Sequence, residues 1–105
     1  MNQYDIVLVN LNPTEGSEIQ KTRPCVIVSP DEINHNLQTL VIAPMTTSFR
    51  KYPTRVEITH SDKKGWIAVD QIRTIDKIRV VKILGKLNKS EIREVKSVIK
   101  ETFVD

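Results

Sequence analysis

The chain has 105 residues, room for one domain around a single modest core and none for a separate cofactor domain. Lys and Arg number 16 against 13 Asp and Glu, a net charge of +3 that excludes an acidic tail protein and falls short of a histone-like basic coat. Its one cysteine, Cys25, rules out an internal disulfide, and no run approaches the roughly 18 apolar residues of a membrane span, so a soluble cytoplasmic domain over residues 1–105, without a leader, is expected.

Taken in chain order, Ile6-Val7-Leu8-Val9 is short and rich in β-branched residues, which predicts a buried strand. The breakers from Asn12 to Glu18 predict a loop. Cys25 to Val28 reads as a second strand, entered through Pro24. Ser29-Pro30-Asp31-Glu32 suits the start of a short helix. Leu40 to Ala43 is a third strand, ended by Pro44, with Thr46-Thr47-Ser48 and a basic loop at Arg50-Lys51-Tyr52-Pro53 beyond it. Arg55 to Thr59 alternates as a half-wet strand should, and His60 to Gly65 reads as a hairpin connection. Trp66 to Val69 is a fifth strand. Ile72 to Leu84 has helical spacing in its first half and strand character in its second.

The C-terminal segment carries the clearest signal. Asn88 and Glu91 form a capping-box pair, and Ile92, Val95, Val98, Ile99, Thr102 and Phe103 recur at helical spacing. An amphipathic helix over residues 89–103 is predicted to close the core. The whole reads as a small α+β domain: a strongly twisted, barrel-like antiparallel sheet of five to seven strands, a C-terminal helix and one or two short helices.

Most chemistry-bearing patterns are missing. Gly16, Gly65 and Gly85 form no phosphate-cradling loop, and His35 and His60 lie far apart without a second ligand at metal spacing. Both histidines read as surface imidazoles. Cys25, mid-strand, reads as a buried structural thiol. Polar side chains do gather where strands end: Arg23 before strand two, Thr46, Thr47 and Ser48 after strand three, and Asp70, Gln71, Arg73 and Thr74 after strand five. If those strands are neighbours, a guanidinium, several hydroxyls and a carboxylate converge on one rim. That combination suits a phosphate, with solvated strand ends and turn formers as the plain alternative.

At these residues the sequence resembles the MazF/PemK/Kid family of toxin endoribonucleases. The resemblance rests on Asn12-Pro13-Thr14-Glu15-Gly16-Ser17-Glu18, on Arg23-Pro24, on Pro44-Met45-Thr46-Thr47-Ser48 and on Asp70-Gln71-Ile72-Arg73-Thr74-Ile75-Asp76, followed by Gly85-Lys86-Leu87 and the closing helix. It implies a cytoplasmic homodimer that cuts single-stranded RNA at short motifs without metal or cofactor. The expected products are a 2′,3′-cyclic phosphate and a 5′-hydroxyl, and the consequence is arrest of translation. It also implies a partner antitoxin with an acidic, flexible tail.

Position by position, Arg23 matches the family's arginine, Thr46 its hydroxyl residue and Asp70 an acid some members use as a base. Kid-like members carry a second arginine two residues before that acid, where this chain has Ala68. Arg23 and Thr46 suit the charge that builds on the phosphate oxygens, whereas a guanidinium is a poor general base. For Asp70, proton acceptance and a structural hydrogen bond both remain open. The expected RNA-contacting residues are Ser17, Glu18, Gln20, Lys21, Thr47, Ser48, Arg50, Lys51, Tyr52, Gln71 and Arg73, with Tyr52 a stacking surface. Two other readings share these features: a toxin-fold module that blocks a protein such as a topoisomerase, and an RNA-binding domain that does not cut.

Overall fold

The computed structural model describes residues 1–12, 16, 21–48, 52–60 and 62–104. Seven strands and two helices follow in the order β1 (Asp5–Asn10), β2 (Thr22–Ile27), α1 (Asp31–Asn36), β3 (Thr39–Thr46), β4 (Arg55–His60), β5 (Lys63–Ala68), β6 (Arg73–Asp76), β7 (Val80–Lys86) and α2 (Lys89–Phe103). Single 3-10 turns at Val69–Gln71 and Lys77–Arg79 bracket β6. Every described strand pairing is antiparallel, in the order β4-β5-β3-β2-β1-β7, with β6 also paired to β3.

The period-2 alternation sorts the core. Ile6 and Val26 face a cluster completed by Ala43, Met45, Val56, Ile58, Ile67, Val69, Leu87 and Val95. Val7, Val9, Cys25 and Ile27 fall in a second cluster with Leu11, Leu40, Ile42 and Ile75. Helix α2 lays Ile92, Val95, Val98 and Ile99 against the first cluster. Its entry is fixed as expected: Asn88 Oδ1 accepts from the Glu91 amide at 2.8 Å, and Glu91 Oε1 accepts from the Asn88 amide at 2.9 Å.

Several boundaries differ from expectation. Strand β3 does not stop at Pro44 but runs to Thr46, because it bonds β2 through Cys25 and Pro44 and then passes to β5 through Met45 and Thr46. The ambiguous stretch from Ile72 resolves into β6, a 3-10 turn and β7, so its helical spacing reflects tight turns. Phe103 is 57% exposed and Thr102 is exposed, so the buried face of α2 ends at Ile99. Ser29 does not cap α1, whose N-cap is Pro30. It is buried instead, and its hydroxyl bonds Asn34 and accepts from the Val41 amide.

The sheet curls far enough for its two ends to meet. His60 ends β4, Gly85 lies in β7, and a Cβ built on Gly85 would stand 3.2 Å from His60 Cε1. These strands lie at opposite ends of the sheet order, so the contact closes the curl.

Candidate active site

Strands β2 and β3 set the centre of the site. Their register pairs Cys25 with Pro44; continued two places, it brings Arg23 level with Thr46. Both side chains are half-buried and line one cavity of about 320 Å³. Pro24, Met45, Thr47, His60, Lys63, Lys64, Gly65 and Leu84 complete its wall. Thr46 Oγ1 accepts from the Ser48 amide at 3.1 Å, so the turn holds the oxygen while its hydrogen is left to donate. Arg23, Thr46, His60 and Lys63 therefore edge a largely apolar pocket, while Lys64 lines it with its ammonium paired to Glu57 Oε1 at 3.3 Å.

Asp70 is not brought to this cavity. Its Oδ1 accepts from Thr54 Oγ1 at 2.9 Å and from Arg55 Nε at 2.9 Å, and its Oδ2 from Arg55 Nη2 at 3.3 Å. Burial raises its pKa, but the hydrogen bonds from Arg55 and Thr54 and the Arg55 charge outweigh burial and leave it below the usual carboxylate value. Of the two readings of Asp70, the geometry favours the structural bond. The Arg55 Cζ also lies over the Tyr52 ring, 5.4 Å from its centroid, so Asp70, Arg55 and Tyr52 form a chain of contacts.

The other expected contacts separate. Thr47 lines the cavity, while Ser48, Tyr52 and Lys21 are exposed away from its lining. Gln71 lies in the 3-10 turn after β5, and Arg73 pairs with Ile42 on β3; neither lines the cavity. Ser17, Glu18, Gln20, Arg50 and Lys51 lie outside the described residues. Cys25 is fully buried and its Sγ donates to the Arg23 carbonyl at 3.5 Å. Burial pushes its thiol up to about 12 against smaller opposing effects of the Arg73 charge and the Met45 amide, so it stays an inert core group.

Sequence reasoning missed His60, Lys63, Lys64 and Leu84. His35 is exposed and bonds Asn2, as a surface imidazole should, but His60 is half-buried in the cavity wall. The available signal was the short hairpin itself, which had to bring its basic residues alongside Thr46 once β5 paired with β3. Among the described residues no group of three or more His, Cys, Asp or Glu is placed to hold a metal ion. No described helix is long and apolar enough to cross a membrane.

Comparison with known proteins gives a consistent picture. A family profile described as "PemK-like, MazF-like toxin of type II toxin-antitoxin system" matches residues 2–103. An endoribonuclease MazF of Staphylococcus saprophyticus is 37% identical over 105 residues, covering 94% of this chain and 88% of that protein. The crystal structure of MazF from Deinococcus radiodurans superposes with a TM-score of 0.88 at 22% identity, over 100% of this chain and 97% of that one. A mycobacterial endoribonuclease solved in complex with its cognate antitoxin gives a TM-score of 0.84 at 21% identity, over 99% and 95%.

Proposed function

As a member of the PemK-like, MazF-like toxin family of type II toxin–antitoxin systems, this chain is an endoribonuclease, and we propose that it cuts single-stranded RNA at short sequence motifs without a metal ion. The observation that carries this reading is the convergence of Arg23 and Thr46 on one cavity. In metal-free cleavage the neighbouring 2′-oxygen attacks phosphorus, and charge grows on the non-bridging oxygens. Arg23 supplies forked, permanently charged donors to those oxygens, and Thr46 adds a neutral one. The products are then a 2′,3′-cyclic phosphate and a 5′-hydroxyl. Asp70, occupied by Arg55 and Thr54, serves as a brace and not as the base; the 2′-hydroxyl proton passes to water.

Thr47, Lys63 and Lys64 edge the cavity where the strand continues, and Tyr52 offers a ring for a splayed base. The functional unit is a cytoplasmic homodimer, and its cognate antitoxin covers the cationic groove with an acidic, flexible segment. The solved antitoxin complexes of similar folds support such a partner.

The test is purified protein with a long labelled RNA in EDTA, with sequencing of the cut ends. Cleavage leaving 2′,3′-cyclic phosphates is expected. Arg23→Ala should lower the rate on the order of a hundredfold or more, and Thr46→Val by a similar factor, with circular dichroism unchanged. No cutting in EDTA at enzyme levels above substrate sinks the metal-free reading; binding without cutting would favour the RNA-binding alternative. Sedimentation tests the dimer, and an acidic peptide from a co-encoded antitoxin should suppress cutting.

A further inference from the structure

The cavity contains one group that the reaction has not yet used. His60, the last residue of β4, lines the same wall as Arg23 and Thr46. Its ring is seated by the absence of a side chain at Gly85, where an added Cβ would meet Cε1 at 3.2 Å and Nδ1 at 3.8 Å. Gly85 is thus a close approach of backbone to ring, and it holds the imidazole at the cavity from behind.

The charged and titratable groups facing it can be named by element. Arg23 comes from β2, and Lys63 and Lys64 from β5, the latter paired with Glu57 of β4 at 3.3 Å. Strand β3 contributes Met45, Thr46 and Thr47, while β7 contributes Leu84 and Gly85 with exposed Lys86 next in sequence.

The cleavage proposed above leaves one requirement open. The departing 5′-oxygen is an alkoxide unless it takes a proton as its bond to phosphorus breaks. Arg23 cannot readily give one, because a guanidinium does not part with its proton in a protein. The lysine ammonium is nearly as reluctant, and Asp70 is engaged elsewhere. Imidazole is the side chain that both holds and releases a proton near neutrality.

Resting on the nuclease reading, the geometry points to His60 as a catalytic residue, the general acid of the cleavage. The 2′-oxygen–phosphorus bond forms and the phosphorus–5′-oxygen bond breaks. The imidazolium gives its proton to the leaving oxygen, water takes the proton from the 2′-hydroxyl, and the neutral imidazole regains a proton from water. Nothing is oxidised or reduced.

The experiment compares single-turnover rates of wild type and His60→Gln, in EDTA, from about pH 5 to 9. Each cuts two short RNAs that differ only at the scissile 5′-position, one linked through oxygen and one through sulfur. A thiolate leaves without protonation, so it removes the need for an acid. His60→Gln should lose roughly 10²–10⁴-fold on the oxygen-linked RNA and cut the sulfur-linked RNA at close to the wild-type rate. The wild-type oxygen profile should fall at high pH through an ionisation that the sulfur profile lacks.

Equal losses on both substrates would make His60 a structural closure of the sheet and overturn the assignment. So would a variant as fast as wild type on normal RNA. Should the variant fail to fold, the wild-type profiles decide alone, and identical profiles overturn it. Both RNAs carry a motif mapped on the long RNA, so a wild type that cuts neither in EDTA overturns the metal-free reading, and the acid role with it.

Discussion

Arg55 ties three parts of the site's surroundings together. Its side chain is 8% exposed, and its guanidinium bonds Asp70 after β5 and lies over Tyr52 in the segment before β4. The Asp70 pKa is lowered on balance, which fixes the sign of its contribution to stability. A folded-state pKa below the unfolded one adds stability that is fully present above the unfolded value, near pH 4, and is lost as pH falls through the folded value. Asp70→Asn should therefore cost about 1 kcal/mol at pH 7, after discounting for partial exposure, and less as pH falls below the usual carboxylate range. Urea midpoints of the two proteins followed from pH 7 downward measure it; equal midpoints at pH 7 would remove the brace. That Arg23 and Thr46 share a cavity was legible in the sequence because both flank apolar runs that pair as neighbours, whereas Asp70, placed on the same rim by the same reasoning, is drawn to Arg55 and Thr54 instead. The role of His60 was not legible, because it depends on β4 curling round to β7, a contact between positions 25 residues apart that no local pattern encodes.

At the scale of elements, α2 was readable to the residue because its signals are local: a capping box at one end and a repeating apolar face between. Asn88→Ala should cost about 1 kcal/mol and lower the thermal midpoint by roughly 4–8 °C. A melting curve checks it, and an unchanged midpoint would mean that packing of Val95 alone fixes the helix. The stretch after Ile72 was harder to read for a physical reason. Ile75 is buried and Ile78 is 89% exposed, although they sit three apart as helix neighbours would. The 3-10 turn at Lys77–Arg79 supplies the spacing, and Asp76 Oδ1 caps it by accepting from the Ile78 amide at 2.9 Å. Hydrophobic periodicity registers tight turns and helices alike, and pairing of β6 with β3 decides between them.

For the whole molecule, a net charge of +3 understates what an RNA strand would meet. Arg23, Lys63 and Lys64 stand at one cavity, and Glu57 offsets Lys64 only through an exposed pair of small strength. Single-stranded binding loses about 0.7 in log–log salt slope per phosphate neutralised. The double change Lys63→Gln, Lys64→Gln should therefore make the slope shallower by roughly 1.4. Salt titration of binding to an uncleavable 2′-deoxy strand measures this, and an unaltered slope would take β5 off the path of the nucleic acid.

Strand β3 is shared on one of its edges. Thr39 to Ile42 bond β6, Met45 and Thr46 bond β5, and among the described pairings that edge passes over Ala43 and Pro44. A proline, with no amide to offer, suits such a gap in the ladder. The β4–β5 hairpin is thus joined to the rest of the sheet through the last two residues of β3, and it is held further by Val56, Ile58 and Ile67, which pack into the first core cluster against Val95 of α2. His60 belongs to the hairpin, while Arg23 and Thr46 stand level on β2 and β3. The end of β4 rests against β7 through the His60 ring beside Gly85. The separation between guanidinium and hydroxyl is therefore set by the β2–β3 register, while the position of the imidazole is set by the hairpin and its closure against β7.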